Sequence, residues 1–288
     1  MSQTLSPQTH DTHTVERPPR PAIPRGATLA SLAVLFCFIA TQARSLYQEW
    51  RVLRVELTEV RKSVVIGYPG IQQRISYAQR PADWYRVEPQ ATHLWSGWSQ
   101  GIGHRWFVTS PGDIPRDLVS LPVGRDVNQA IDRPIVEFQG GSIWGRIPDD
   151  AHVAGEELGG VETAYPLLVL ERVIVVNDQI RDQPFLVTFN PLEPTESKVA
   201  VYDPLVEGQR VIMGMSGYFH QNTPMLYDRE TESLWIRDGE VLKALTGKLK
   251  GRKLPQVSRP SSASWKRWRT EHPKGRLVVG ADRGQTSI

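Results

Sequence analysis

Residues 233–242, Ser-Leu-Trp-Ile-Arg-Asp-Gly-Glu-Val-Leu, decide the fold class. Ser233–Arg237 and Glu240–Leu242 are short and rich in β-formers, and they flank Asp238-Gly239, a pair that favours a tight hairpin turn because Gly accepts positive φ without strain. Reading outward, the same texture recurs. Phe185-Leu186-Val187-Thr188-Phe189 is a buried strand candidate, and Leu167–Val176 is an aliphatic run too apolar for a strand with one wet face. Lys198–Tyr202 and Arg210–Met215 read as a second hairpin closed by Asp203–Gly208, and Leu277-Val278-Val279 as a last strand. A helix is expected near Ser264, with Trp265 and Trp268 on one face and Pro273 beyond its end. The expected fold is therefore α+β and mostly β, a compact antiparallel or mixed β domain over 148–281, followed by a tail at 282–288.

Upstream, 67–147 holds Trp84, Trp95, Trp98, Trp106 and Trp144 among many Gly and Pro, and reads as an irregular segment packed on the β domain. Trp95-Ser96-Gly97-Trp98-Ser99 matches the Trp-Ser-x-Trp-Ser box of cytokine receptors. Those domains are cysteine-paired and this region has no cysteine, so aromatic packing is the better reading, with a groove for sugar or lipid as the alternative.

Further upstream lie the features that bear on location. Gly26 through Ala43 are eighteen residues without a charge. As a helix they would span roughly 27 Å, about the thickness of a bilayer core. A cleaved signal peptide is the competing reading, with Thr41-Gln42-Ala43 as its small-residue end, but the preceding tail is long for one. A retained transmembrane anchor at 26–43 is expected. Residues 1–25 are polar and proline-rich and cannot pack a core. Within 44–66, Leu46, Trp50, Leu53, Leu57, Val60 and Val64 alternate at four and three residues. That spacing fits either a homodimeric coiled coil through 46–64 or an amphipathic helix lying on its own domain.

Composition narrows the chemistry. The single cysteine, Cys37, lies in the apolar span, which excludes a disulfide, a zinc-thiolate site or thiol catalysis in the remainder. No cofactor or metal is expected. Charge is segregated: 149–240 hold seventeen acids and six bases, whereas 243–288 hold twelve bases and two acids. Two readings compete: the blocks attract each other within the fold, or the basic end faces anionic lipid or polymer. Nucleic acid is a weaker reading, since no recognised motif accompanies the charge.

Ala164-Tyr165-Pro166-Leu167, Val176-Asn177-Asp178, Met215-Ser216-Gly217, Met225–Trp235, Leu245-Thr246-Gly247-Lys248 and Trp265-x-x-Trp268-x-x-x-His272-Pro273 together resemble the bacterial and archaeal domain-of-unknown-function family numbered 3179. The resemblance covers about 148–281, and Tyr227–Trp235 is its specific block. It implies an exported or anchored domain, hence an inner-membrane, single-pass protein with its C-terminal domain outside the cytoplasm. The positive-inside count, with more Arg and Lys after the span than before it, points the other way. Where the family reads Thr-Tyr-Cys-Pro-Leu-Cys, this chain reads Thr188-Phe189-Asn190-Pro191-Leu192-Glu193, without either thiol.

The candidate site follows from the same block. Asn190, Glu193, Asn222, Tyr227, Arg229, Ser233 and Trp235 are candidate ligand-binding residues in one polar pocket with His220 at its rim. His220, Asp228 and Ser216 are weak catalytic candidates: an imidazole and a carboxylate can exchange protons, and a Ser beside Gly resembles a nucleophile turn, here without its last glycine. A hydrogen-bonded core network is the competing reading. The expected function is a membrane-anchored binding or assembly module, the alternative a metal-dependent or acid–base enzyme near Asn190, Glu193, His220 and Asp228.

Overall fold

The computed structural model describes residues 80–99, 101–120 and 123–281. The tail, the expected anchor at 26–43 and the juxtamembrane helix lie outside the described residues. No helix among the described residues is long and apolar enough to cross a membrane.

The described chain is β-rich. It runs through β1 (Tyr85–Val87), β2 (Thr92–Ser99), β3 (Gly103–Thr109), β4 (Val119–Ser120), β5 (Pro134–Glu137), β6 (His152–Leu158) and β7 (Val161–Pro166). Helix α1 (Leu167–Val173) follows, then β8 (Val175–Ile180), β9 (Gln183–Phe189), β10 (Val199–Tyr202), β11 (Leu205–Val206), β12 (Gln209–Arg210) and β13 (Met213–His220). The chain continues with β14 (Thr223–Asp228), β15 (Leu234–Asp238), β16 (Val241–Ala244), β17 (Lys253–Ser258), β18 (Ser261–Ser264), α2 (Trp265–Glu271) and β19 (Arg276–Ala281). The sheets are β1-β2-β3, a nine-stranded β4-β13-β14-β15-β16-β17-β10-β9-β8, the small β11-β12 ribbon, and a five-stranded β18-β6-β7-β19-β5.

The nine-stranded sheet curls until β8 approaches β13. The Asn177 side chain bridges them, its Nδ2 donating to the Met213 carbonyl and its Oδ1 accepting from the Met213 N–H, both at 2.9 Å. A primary amide carries one donor and one acceptor group side by side, so it can stand in for a peptide unit of a missing strand. Residues 123–132 run along the same seam. Val123 N and Asp126 N donate to the carbonyls of Gly217 and Met215 on β13, and Ile131 pairs in parallel with Val176 on β8.

Both faces of β13–β15 are covered, which explains their near-continuous apolar character. Met213, Met215, Leu226 and Trp235 join the main core with α1 and β7–β10. Tyr218, Met225, Tyr227 and Leu234 point the other way, against Leu94 and Phe107 of the three-stranded sheet. A third cluster seats Trp265 and Trp268 of α2 and Trp144 on the five-stranded sheet, with Trp144 and Trp265 centroids 4.8 Å apart.

Several expectations hold. Phe185–Phe189 lies within β9, and Ser233–Leu242 forms the β15–β16 hairpin, with its turn at Gly239 (φ +63°) and Glu240, one position later than the expected Asp238-Gly239. Helix α2 starts where expected, the Ser264 hydroxyl accepting from Arg267 N at 3.4 Å. Others need correction. Leu167–Val176 is a helix followed by a strand. Pro166 precedes the first helical residue, where its missing N–H costs nothing, and Ile174 at φ +63° ends the helix with its N–H on the Leu170 carbonyl. Val169, Leu170 and Val173 are buried while Leu168 is 57% exposed, so the run has a wet face after all, at helical period. Lys198–Tyr202 and Arg210–Met215 do not pair. Strand β10 is held between β9 and β17, while Glu207 and Gly208, both at positive φ, close the short β11–β12 ribbon instead. The Trp-rich segment is more regular than expected, since β1–β3 occupy much of 85–109.

The segregated charges meet in part within the fold. Arg252 pairs with Glu207 at 2.5 Å, Arg269 with Asp149 at 2.6 Å and Arg276 with Asp178 at 2.5 Å.

Candidate functional site

The residues singled out from the sequence fall into two places. Asp228 ends β14 with 1% exposure. Its carboxylate accepts from Thr231 N at 2.6 Å, the Thr231 hydroxyl at 2.9 Å and the Trp235 indole at 3.0 Å. The Ser233 hydroxyl joins this set, donating to the Thr231 hydroxyl at 2.7 Å and accepting from Leu249 N at 3.1 Å. A residue added at Gly247 would place its Cβ 2.5 Å from the Ser233 hydroxyl oxygen, so the turn is closed over this network. Tyr227 donates to Asp126, and burial together with that carboxylate raises its phenol well above the usual range. Burial likewise raises the Asp126 carboxyl.

Ser216 is fully buried in the bulge of β13, where it donates to the Met225 carbonyl at 2.5 Å and accepts from Tyr218 N at 3.2 Å. The adjacent Gly217, at φ +88°, lets the seam pass: a Cβ there would sit 2.3 Å from the Gly124 carbonyl oxygen. The Ser-Gly step is thus a β-bulge that admits a neighbouring backbone.

The second place is the far end of the β13–β14 hairpin. His220 pairs with Thr223 across a two-residue turn whose Gln221 and Asn222 are both left-handed, which suits Asn at this position. Asn190 reaches this turn, its Nδ2 donating to the Asn222 carbonyl at 3.4 Å and to Glu193 at 3.2 Å. Glu193 is held by Arg237 at 2.9 Å, which also donates to the Ser197 carbonyl. The two loops therefore meet through Asn190. His220 does not meet Asp228: the register pairs Asp228 with Met213 at the opposite end of the hairpin, about 17 Å away at ~3.3 Å per residue. His220 is half-buried, and burial lowers its imidazole pKa.

A cavity among the described residues lies elsewhere, where the seam meets the five-stranded sheet. It measures about 430 Å³ and is lined by Asp132, Arg133, Pro134, Val136, Asp178, Gln179, Arg210 and Arg276. Its floor is a buried ion pair. Arg276, opening β19, donates to Asp178 of β8 at 2.5 Å, with side-chain exposures of 7% and 1%. The same Asp178 oxygen accepts from Tyr165 at 2.6 Å, and the other accepts from Gln179 N at 2.7 Å. Burial and the adjacent carboxylate push the Tyr165 phenol far up, which keeps it a donor. One wall is Arg210 of β12. Its two terminal nitrogens bond the Gln179 side chain and the carbonyls of Asn177 and Asp178 at 3.0–3.1 Å. Burial lowers its pKa, opposed by Asp178 and Asp132. Asp132 in turn holds Asn177 at 2.8 Å and Arg229.

Two donors are left over. The Nε atoms of Arg210 and Arg276 are buried and meet no acceptor among the described residues. A guanidinium carries five N–H groups, and a buried donor without a partner costs about 1–3 kcal/mol, a cost the fold carries at these two positions. Among the described residues no group of three or more His, Cys, Asp or Glu could hold a metal ion.

None of Asp178, Gln179, Arg210 or Arg276 was singled out from the sequence as a site residue. One signal was there: Asn177-Asp178 interrupts an aliphatic strand, and two polar residues buried to that depth need partners from elsewhere in the chain.

Comparison with known proteins adds the following. No curated protein and no solved structure matches the chain. A family model matches residues 130–286, a stretch that takes in every residue lining the cavity. The match covers more than half of the sequence, and the chain belongs to the family described as "Protein of unknown function (DUF3179)".

Proposed function

We propose that this protein is a membrane-anchored, extracytoplasmic binding module, and that its ligand occupies the cavity at the seam. One observation carries the binding reading: a space of about 430 Å³, walled by parts of three sheets and the seam segment, is lined by the buried Arg276 and the half-buried Arg210. Ligand sites of small molecules are concave, with a few placed polar groups on an otherwise apolar frame. The signature block supports the same view from the other side. The carboxylate of Asp228 and the hydroxyls of Ser216 and Ser233 are engaged by neighbours in the fold, which suits a scaffold. The acid–base reading draws no support from the geometry, because the hairpin separates His220 from Asp228.

The anchor rests on the uncharged stretch 26–43, and the extracytoplasmic side on what the family resemblance implies. The flanking arginines favour the reverse orientation, so the two sources of inference oppose each other. Protease treatment of spheroplasts decides between them: digestion of the C-terminal domain is expected, and its protection would contradict the topology. Native mass spectrometry of the full chain, released from detergent micelles, tests binding. A small molecule retained by the wild type and lost in Val136→Trp, which fills the cavity, is the expected result.

A further inference from the structure

From Val241 to Thr270 the chain holds nine bases and no acid, and five of the nine sit in one hairpin. Lys243 lies on β16, Lys253 opens β17, and Lys248, Lys250 and Arg252 lie in the loop between them. That loop is pinned to the fold. The Thr246 hydroxyl accepts from Leu234 N at 3.0 Å, and Leu249 N donates to the Ser233 hydroxyl at 3.1 Å. Ala244 bonds the backbones of Gly251 and Arg252. Thr246 is fully buried, whereas Lys248, Lys250, Arg252 and Lys253 are exposed. The network around Asp228 and Ser233 thus holds a loop whose outer side is cationic.

Carboxylates of the fold meet only part of this charge. Asp238 lies 3.7 Å from Lys243, Asp113 2.6 Å from Lys250 and Glu207 2.5 Å from Arg252. Lys248 and Lys253 have no carboxylate partner among the described residues. Lys243 and Lys253 also stand directly opposite each other in the β16–β17 register, and like charges in that arrangement destabilise a strand pair. An anionic partner from outside the chain offsets that cost.

Reach decides among anionic partners. With an anchor at 26–43, residues 44–79 span at most ~120 Å even when fully extended, so the tether holds the domain at high local concentration over the bilayer. Each Lys or Arg near an anionic surface adds about fivefold to a binding constant. A few such cations are too weak to capture a dilute free polymer, yet they suffice to turn a tethered face toward lipid headgroups.

We infer that the β16–β17 hairpin docks on the anionic surface of the bilayer, with Lys248 and Lys253 supplying the charge that the fold leaves unpaired. This rests on the anchor reading and is independent of the ligand in the seam cavity.

The experiment is amine acetylation of the full chain in nanodiscs of phosphatidylcholine, with or without phosphatidylglycerol, read at each lysine by mass spectrometry. Phosphatidylglycerol is expected to slow labelling of Lys248 and Lys253 by about fivefold or more, and high salt to restore it. Lys198 is the reference, because the β10–β17 register carries it past the Ser258 end of β17, away from Lys253. Lys248→Gln combined with Lys253→Gln is expected to abolish the phosphatidylglycerol-dependent protection of Lys250. Labelling unchanged by phosphatidylglycerol, or slowed equally at Lys198, overturns the docking. Protection by added heparin with none from phosphatidylglycerol overturns it in favour of a soluble polyanion. Loss of the chain from phosphatidylcholine discs on size exclusion contradicts the anchor and removes the tether on which the inference rests.

Discussion

The turn around Asp228 and the cavity around Asp178 are built from the same materials and finished differently. Each centres on a carboxylate with 1% exposure that accepts from an aromatic side chain, the Trp235 indole in one and the Tyr165 phenol in the other. Around Asp228 the donors and acceptors answer one another within eight residues of chain. Around Asp178 the partners come from distant elements, and two arginine Nε donors remain open. Burial alone therefore does not separate scaffold from site. The adjoining space does: the Asp178 group borders a cavity, whereas the Asp228 group lines none of it.

The largest expected effect lies on the completed side. Asp228→Ala would leave the Thr231 and Trp235 donors buried and unmet, at a cost of about 3–5 kcal/mol. Urea unfolding of the full chain would measure it, and a loss below about 1 kcal/mol would break the comparison at its stronger half. Next comes Gly217→Ala. A Cβ at φ +88° against the Gly124 backbone should cost roughly 2–3 kcal/mol, read as a lowered Tm. On the open side the balance reverses. Arg210→Gln should change stability by about 1 kcal/mol or less, since the side chain is only half-buried, while ligand affinity falls.

The smallest effects are pH-dependent and carry opposite signs at the two ends of β13. Burial raises the Asp126 carboxyl near Met215, so its contribution is fully present below the unfolded pKa and is lost as pH rises through the folded one. Asp126→Asn should remove that slope. Burial lowers His220, so its contribution is present above about 6.5 and is lost as pH falls through the folded value. His220→Gln should flatten that acid limb. Unfolding midpoints from pH 4 to pH 8 would show both, and a slope unchanged in either variant would rule out that group as its source.

Legibility in the sequence followed locality. The β15–β16 hairpin and helix α2 could be read directly, because Asp238-Gly239 and Ser264 act within a few positions of themselves. The run at 167–176 hides its period because apolar residues dominate it: Leu168 and Glu171, three positions apart, share the exposed face, and only Glu171 shows that face in its residue type. The hairpin pairing of β10 failed because strand partners are chosen by the whole sheet, not by the nearest turn. The family-like block around Tyr227–Trp235 was visible as a motif, yet it drew attention toward the hydrogen-bonded turn. The cavity was not visible, since Asp178 and Arg276 lie 98 positions apart and Asp132 and Arg229 lie 97 apart. No spacing rule links such pairs.

The central claim is that a ligand occupies the seam cavity beside Arg210 and Arg276, while the turn around Asp228 is scaffold. Nuclear magnetic resonance of the isotope-labelled full chain in micelles addresses both places in one comparison, because arginine Nε–H and tryptophan indole N–H signals are separately resolved. Val136→Trp, which displaces the ligand, is predicted to move the Arg210 and Arg276 Nε–H signals and to leave the Trp235 indole where it is. Movement of the Trp235 and His220 signals with both arginines unchanged would contradict the account.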